Sequence, residues 1–332
     1  MQNQNKTLIP KPILWMVIPC YNEEEVLPIT SGLFLNQVNE LITSSKISSL
    51  SKILFVNDGS SDSTWKIIEE LSRQDSHFQG ISLSRNRGHQ NALFAGLMEA
   101  RNYCDVSISI DCDGQDDISA INEMIDHFLE GSDVVYGIRD DRSSDTFFKK
   151  VSAEAFYGLM DKMGVETVFN HADYRLLSLA ALDGLANFKE TNLFLRGMVP
   201  LVGLPSSSVT YARSPRAAGE SHYPLAKMIA LAADGITSLS VKPIHLISLS
   251  GGVIGLLGFM GTLWALIAYA AGTAVSGWTS TICVILFLGG MQLLSLGVIG
   301  EYVGKAYLET KHRPRFLIKE RTYNKSERQY RG

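Results

Sequence analysis

Apolar and polar positions come in blocks along the first 240 or so residues. Apolar runs of strand length, bounded by turn residues, occupy 14–20, 53–57, 81–84, 106–111 and 134–138. Between them apolar positions recur at helical spacing, which predicts helices over about 24–42, 63–74, 91–103 and 118–130. Strands alternating with helices predict a parallel, doubly wound α/β sheet. Ligands on such sheets bind beyond the carboxyl ends of the strands. The polar clusters of this chain fall there: Pro19-Cys20-Tyr21-Asn22-Glu23, Asn57-Asp58-Gly59-Ser60, Arg85-Asn86-Arg87-Gly88 and Asp111-Cys112-Asp113. No GxGxxG follows the first strand, which argues against a dinucleotide-dependent oxidoreductase.

The pattern changes after Lys242. Residues 243–300 contain no Asp, Glu, Lys or Arg, and His245 is their one ionisable residue of the commonly charged types. A membrane-spanning helix needs about 20 apolar residues, so the stretch predicts two, over 246–271 and 278–303, in a hairpin domain of 243–304. A buried helical pair in a soluble protein would share the pattern, but hydrocarbon accepts such a charge-free length as closed helices. The segment 305–332 carries Lys305, Lys311, Arg313, Arg315, Lys319, Arg321, Lys325, Arg328 and Arg331, whereas the link between the spans has no basic residue. Basic flanks face the cytoplasm. That predicts a plasma-membrane protein with both termini and the domain of residues 1–242 in the cytoplasm. The polar N-terminus, with no apolar h-region, predicts no signal peptide.

Gly251, Gly252, Gly255, Gly258 and Gly261 leave small faces on the first span. Such faces suit a homo-oligomer through the transmembrane helices; packing inside the hairpin would use them equally. Segments 147–163 and 223–239 are amphipathic, the first with Lys149 and Lys150 close to its apolar face. They suit interfacial helices in the headgroup plane, although a core-facing helix reads the same way.

Composition narrows the classes. Of 332 residues, 45% are hydrophobic and 19% charged, below the roughly 25% usual in soluble domains. That excludes a disordered chain. A net charge of −4 offers no basic field for nucleic acid. The four cysteines form no CxxC pair, against a disulfide scaffold or structural zinc.

Candidate chemistry centres on carboxylates. Asp111 and Asp113 close the apolar strand VSISI, and two acids spaced i, i+2 at a strand exit can converge on one hard cation, Mg²⁺ or Mn²⁺. A solvated turn would also use a lone DxD. Asp58 sits at another strand exit, where it could accept from a base or ribose, or cap the following helix.

The segments VIPCYNEEEVLP, FVNDGSSDST, SRNRGHQNALFAGL, DCDGQD, HADYRLLS and RSPRAAGESHYP, in this order, resemble glycosyltransferase family 2. The resemblance is to its polyprenyl-phosphate glycosyltransferase branch, which includes dolichyl-phosphate mannose synthase and the bactoprenol glucosyltransferases. The ending FLGGMQLLSLGVIGEYVGKAYLETKHRPRFLIKE is similar to bacterial members with a C-terminal hairpin, so the resemblance covers nearly the whole chain. It implies a GT-A fold, a nucleotide-sugar donor, a divalent metal and a polyprenyl phosphate acceptor in the bilayer. Carried over by position, Pro19, Tyr21, Glu23 and Asp58 would hold the nucleoside. Asp111, Asp113 and Gln115 would hold metal and diphosphate, and Asp113, Asp173 and Arg175 would stand at the reacting centre. Arg216 would meet donor and acceptor phosphate, with Arg213, Ser221 and His222 also on the acceptor side. Three departures from the commoner pattern stand out. Gln115-Asp116-Asp117-Ile118 replaces QDPP, and His89 and His222 each stand where Lys is frequent, so a permanent cation has become a titratable one.

The function expected is inverting transfer of a hexose or N-acetylhexosamine, with UDP-glucose or UDP-GlcNAc favoured, to undecaprenyl or another polyprenyl phosphate. The product would be a lipid-linked sugar donor for cell-envelope glycans. A processive polysaccharide synthase would need a QxxRW motif, and no Arg-Trp dipeptide occurs. A non-catalytic nucleotide-sugar-binding scaffold would not need its carboxylates intact. A transporter would need charges along its spans, and Glu301 at the edge is the only one.

Overall fold

The computed structural model describes residues 11–139, 171–190, 194–212, 236–237, 240–271 and 277–324. They divide into a sheet unit, with the described residues up to 212 and from Pro314 on, and a helical unit between.

The sheet unit begins with five strands interleaved with helices: β1 (Leu14–Cys20), α1 (Leu27–Thr43), β2 (Lys52–Asn57), α2 (Thr64–Gln74), β3 (Phe78–Leu83), α3 (His89–Ala100), β4 (Val106–Ser109), α4 (Ile121–Leu129) and β5 (Val134–Arg139). The predicted alternation is present, with β3 starting three residues earlier than its apolar run and β4 stopping before the acidic motif. β6 (His171–Ser178), α5 (Leu179–Ala186), α6 (Leu195–Leu201), β7 (Ser206–Tyr211) and β8 (Ile318–Arg321) follow. The strand order is β7-β5-β6-β4-β1-β2-β3-β8.

Strands buried on both faces alternate between two cores. In β1, Leu14, Met16, Ile18 and Cys20 join one, with Phe34 of α1, Ile68 of α2 and Met124 of α4. Trp15 and Val17 join the other, with Leu93 of α3, Leu182 of α5 and Met198 of α6. A Cβ on Gly96 would stand 2.4 Å from Val17 Cγ1 and 2.7 Å from Val56 Cγ2, so the glycine lets α3 lie directly on β1 and β2.

The sheet is mixed rather than wholly parallel. β4, β1, β2 and β3 are mutually parallel. β6 runs antiparallel to both β4 and β5, with Ser109 and Tyr136 each opposite Arg175. An antiparallel strand brings its first residues to the edge where parallel strands end, so β6 delivers Asp173 and Arg175 to the carboxyl edge. β8 pairs antiparallel with β3. It comes from the basic segment 305–332, where Arg321 and Tyr323 bond to the buried Glu99 of α3.

The helical unit contains α7 (Lys242–Ala270) and α8 (Trp278–Thr310). Both are long and apolar enough to cross a membrane, over Lys242–Gly261 and Phe287–Thr310. At about 1.5 Å per residue, the 29 residues of α7 exceed the roughly 30 Å hydrocarbon core. The amphipathic segments 147–163 and 223–239 lie outside the described residues, apart from 236 and 237.

Candidate active site

The nucleoside-side candidates sit on two loops stitched together. Asn22, in the left-handed region at φ 55°, accepts from the Ser61 N–H at 2.9 Å and donates its own N–H to Ser60 Oγ at 3.0 Å. The Glu23 N–H donates to Thr64 Oγ1 at 2.8 Å, and Glu24 Oε2 accepts from the Ser63 N–H at 2.9 Å. This lacing fixes the exit of β1, where Tyr21 keeps its ring about half exposed. Asp58, 2% exposed, accepts the Arg87 N–H at 2.7 Å and the Gly88 N–H at 2.9 Å. Gly88 gives α3 no side-chain cap, so Asp58 supplies the anion at that helix start from a neighbouring strand. Burial pushes the Asp58 carboxyl up, and the two amides, His89 and Arg87 oppose it.

After β4 the acids take different jobs. Asp116 is buried and accepts the Tyr211 hydroxyl at 2.8 Å, with Arg139 at 3.8 Å. Asp117 caps the next helical turn through the Ser119 N–H at 2.9 Å. Asp113 Oδ1 accepts the Gln115 N–H at 3.1 Å across Gly114, whose φ is +67°. Asp111 is directed at His89, 3.8 Å from Nε2. Burial raises the Asp111 carboxyl pKa. His89 and Arg139 oppose the shift, while Asp173 and Asp113 add to it.

A second cluster meets this one. Asp173 takes the Arg175 guanidinium at 2.5 Å, Arg196 at 3.3 and 3.2 Å on its two oxygens, and His89 Nε2 at 3.4 Å. Burial alone would push its carboxyl up; Arg196, the His89 hydrogen bond and Arg175 outweigh it and hold it well below the usual carboxylate range. Arg175 is 1% exposed, and burial lowers its guanidinium pKa against the pull of Asp173. Crowding disfavours the His89 imidazolium, but the Asp173 bond and the Asp111 and Asp173 charges more than compensate, so its pKa is raised.

The structure thus brings Asp111, Asp173 and Arg175 together with two residues that sequence reasoning did not place in the site, His89 and Arg196. The signal for Arg196 was a lone charge in the apolar run NLFLRGMVPLVGLP. Arg213, Arg216, Ser221 and His222 lie outside the described residues.

Among the described residues no three His, Cys, Asp or Glu side chains form a metal cage. Asp111 and Asp113 could nevertheless hold a hard divalent ion, because such ions take carboxylate oxygens and need few of them from the protein. Asp111 is electrostatically strained by Asp173 and Asp113, which a cation would relieve.

The family model for glycosyl transferase family 2 matches residues 15–185. The uncharacterized glycosyltransferase YkoT of Bacillus subtilis (strain 168) is 46% identical over 314 residues, covering 95% of this chain and 93% of its own. The bactoprenol glucosyl transferase of Shigella phage SfX is 39% identical over 308 residues, 92% of this chain and 98% of its own. Among solved structures, glucosyl-3-phosphoglycerate synthase from Mycobacterium tuberculosis, in complex with Mn²⁺, UDP-glucose and phosphoglyceric acid, is similar with a TM-score of 0.42 at 16% identity, covering 69% of this chain and 78% of that one.

Proposed function

The chain belongs to glycosyl transferase family 2, and from that membership we propose that it is a membrane-bound inverting transferase moving glucose or N-acetylglucosamine from a UDP donor to a polyprenyl phosphate. Its mixed α/β sheet is of the GT-A kind and its donor is a nucleotide sugar. The observation that carries the acceptor is the union in one chain of the Asp111–His89–Asp173 site and two helices of membrane-crossing length. The bactoprenol glucosyl transferases, similar over nearly the whole chain, support it.

In the proposed reaction a phosphate oxygen of the acceptor attacks the anomeric carbon. The bond from that carbon to the UDP oxygen breaks, and UDP leaves with the electron pair. A phosphate monoester has a second pKa near roughly 6 and is largely ionised at neutral pH. No side chain then has to remove a proton, and catalysis is positioning plus charge stabilisation. Pro19, Tyr21, Glu23 and Asp58 line the nucleoside end. Asp111, Asp113 and Gln115 would hold Mg²⁺ or Mn²⁺, which supplies positive charge for the departing diphosphate. Asp173 and Arg175 stand at the transfer centre, and Arg213, Arg216, Ser221 and His222 are assigned to phosphate.

The described chain belongs to the sheet unit both before α7 and after α8. In the proposed topology two crossings return the chain to the side it left, and the basic residues beyond α8 support the cytoplasm as that side.

The test is incubation of the purified full chain in detergent with undecaprenyl phosphate, Mg²⁺ or Mn²⁺, and separately UDP-glucose, UDP-GlcNAc and GDP-mannose. A lipid-linked monosaccharide, identified by mass, with one UDP-sugar supports the reading. Loss of nucleotide sugar with no lipid product rejects it.

A further inference from the structure

The peptide of Leu195 is gripped at both ends by distant parts of the chain. Its N–H donates to Gln90 Oε1 at 3.0 Å, and its carbonyl accepts from Arg175 Nη1 at 3.2 Å. The preceding Phe194 gives α6 no side-chain cap, so Gln90 satisfies one of the N–H groups a helix start leaves open. The next residue, Arg196, is aimed by this grip. Its Nε reaches Asp173 Oδ1 and its Nη2 reaches Oδ2. Each carboxylate oxygen then has two partners: Oδ1 the Arg175 and Arg196 guanidinium groups, Oδ2 the Arg196 guanidinium and the His89 imidazole. His89 adjoins the Gln90 that holds Leu195, and Ser109 donates its hydroxyl to the Asp173 carbonyl at 2.5 Å. Segments 89–90, 109, 173–175 and 195–196 thereby close one polar knot beside Asp111.

A carboxylate so engaged is a poor proton acceptor. It is well suited to holding two guanidinium groups and an imidazole in fixed places. We infer that Arg196 is a positioning residue of the transfer step: acting through Asp173, it fixes that carboxylate and, with it, His89 against Asp111. This rests on the transferase reading above. The guanidinium matters by shape as well as charge, because its fork spans both oxygens of one carboxylate, whereas an ammonium is a single point charge.

The experiment is a double-mutant cycle in the full chain in detergent: Arg196→Gln, Asp173→Asn, both together, and Arg196→Lys. Rates are measured with undecaprenyl phosphate and the UDP-sugar that the wild type uses. Misplacement of about 1 Å at a reacting centre can cost on the order of 100-fold. Arg196→Gln should lower kcat by about that factor with the donor KM within about threefold. Arg196→Lys should recover about a tenth of the wild-type rate, and it carries the test should the Gln variant not fold. In the Asp173→Asn background, the Gln change should add little, as neighbours acting through one contact do not add. Equal loss in both backgrounds, or a raised donor KM at unchanged kcat, overturns the inference.

A wild type that makes no lipid product would reject the transferase reading alone. Hydrogen exchange then tests the coupling that the inference needs. Faster amide exchange at both 88–91 and 194–198 in Arg196→Gln upholds that coupling, because Arg196 links the two through Asp173. Unchanged exchange at both overturns it.

Discussion

Glu99→Ala should free the end of the chain from the sheet unit. Glu99 is 5% exposed on α3, and its carboxylate accepts Arg321 at 2.7 and 3.0 Å and the Tyr323 hydroxyl at 3.0 Å. Tyr323 in turn meets Trp15 and Tyr103 edge-on, at ring separations of 6.1 and 6.0 Å. Hydrogen bonds to a charged group contribute about 1.5–3 kcal/mol each. Arg321 is 25% exposed and can recover water, so the sum must be discounted for solvent screening, to about 2 kcal/mol. At about 1.4 kcal/mol per decade, the detached tail becomes about 30-fold more populated. The strand pairing to β3, the Trp65 bond to Glu320 at 2.9 Å and the aromatic contacts remain, so detachment stays local. Limited trypsin digestion reads this directly, with cleavage after Lys319 and Arg321. When opening and reclosing are fast, the cleavage rate tracks the open population. A rate rise of about 30-fold is expected for Glu99→Ala, and about fivefold for Tyr323→Phe, which removes one of the three bonds to that carboxylate, discounted in the same way to about 1 kcal/mol. A rise below about threefold in Glu99→Ala, with the remainder of the digestion pattern unchanged, would refute the clasp.

Asp111→Ala and Asp113→Ala should each abolish turnover and weaken Mn²⁺ binding by calorimetry at least about tenfold; near-normal metal-dependent activity in either rules out the metal assignment. Asp173→Asn should flatten the acid limb of stability. The Asp173 carboxyl is held well below the usual carboxylate range, so its contribution is complete above the unfolded value near roughly 3.9 and disappears as pH falls through the folded value. The unfolding midpoint of the wild type should thus fall more between about pH 5 and pH 3 than that of the variant, and equal slopes would contradict the ion pairing. Gly96→Ala should destabilise by about 1–3 kcal/mol, because its Cβ would press on Val17 and Val56; an unchanged thermal midpoint would mean that α3 can lift off the sheet.

The strand exits were the legible part of the molecule. β1, β2, β4 and β5 are apolar runs with turn residues behind them, so Asp58 and Asp111 could be set at one sheet edge by counting. β6 was hidden for a physical reason. Its sequence HADYRLLS places Asp173 and Arg175 inside the strand, and both are buried. Charged residues in a buried strand are tolerated because they neutralise each other across two positions, and no periodicity announces that. β8 was hidden because its basic composition matches a membrane flank equally well. Its partners, β3 with Glu99 and Trp65, show its place in the sheet, and they lie more than two hundred residues away in sequence.

Direction of travel explains how Asp173 and Arg175 reach the carboxyl edge. A wholly parallel sheet would place the charged start of β6 at the amino edge, away from Asp111. Running antiparallel between β4 and β5, it puts Arg175 level with Ser109 and Asp173 just past the end of β4. A pair of opposite charges can then be buried at the carboxyl edge while still serving the surface there. The cost of burying Arg175 is met by Asp173 and by the Leu195 carbonyl, and that second bond is what anchors α6 and its Arg196. The same interactions that make the inserted charges tolerable also assemble the site. For this reason Arg196, which no motif singled out, follows from the burial of a residue that one did.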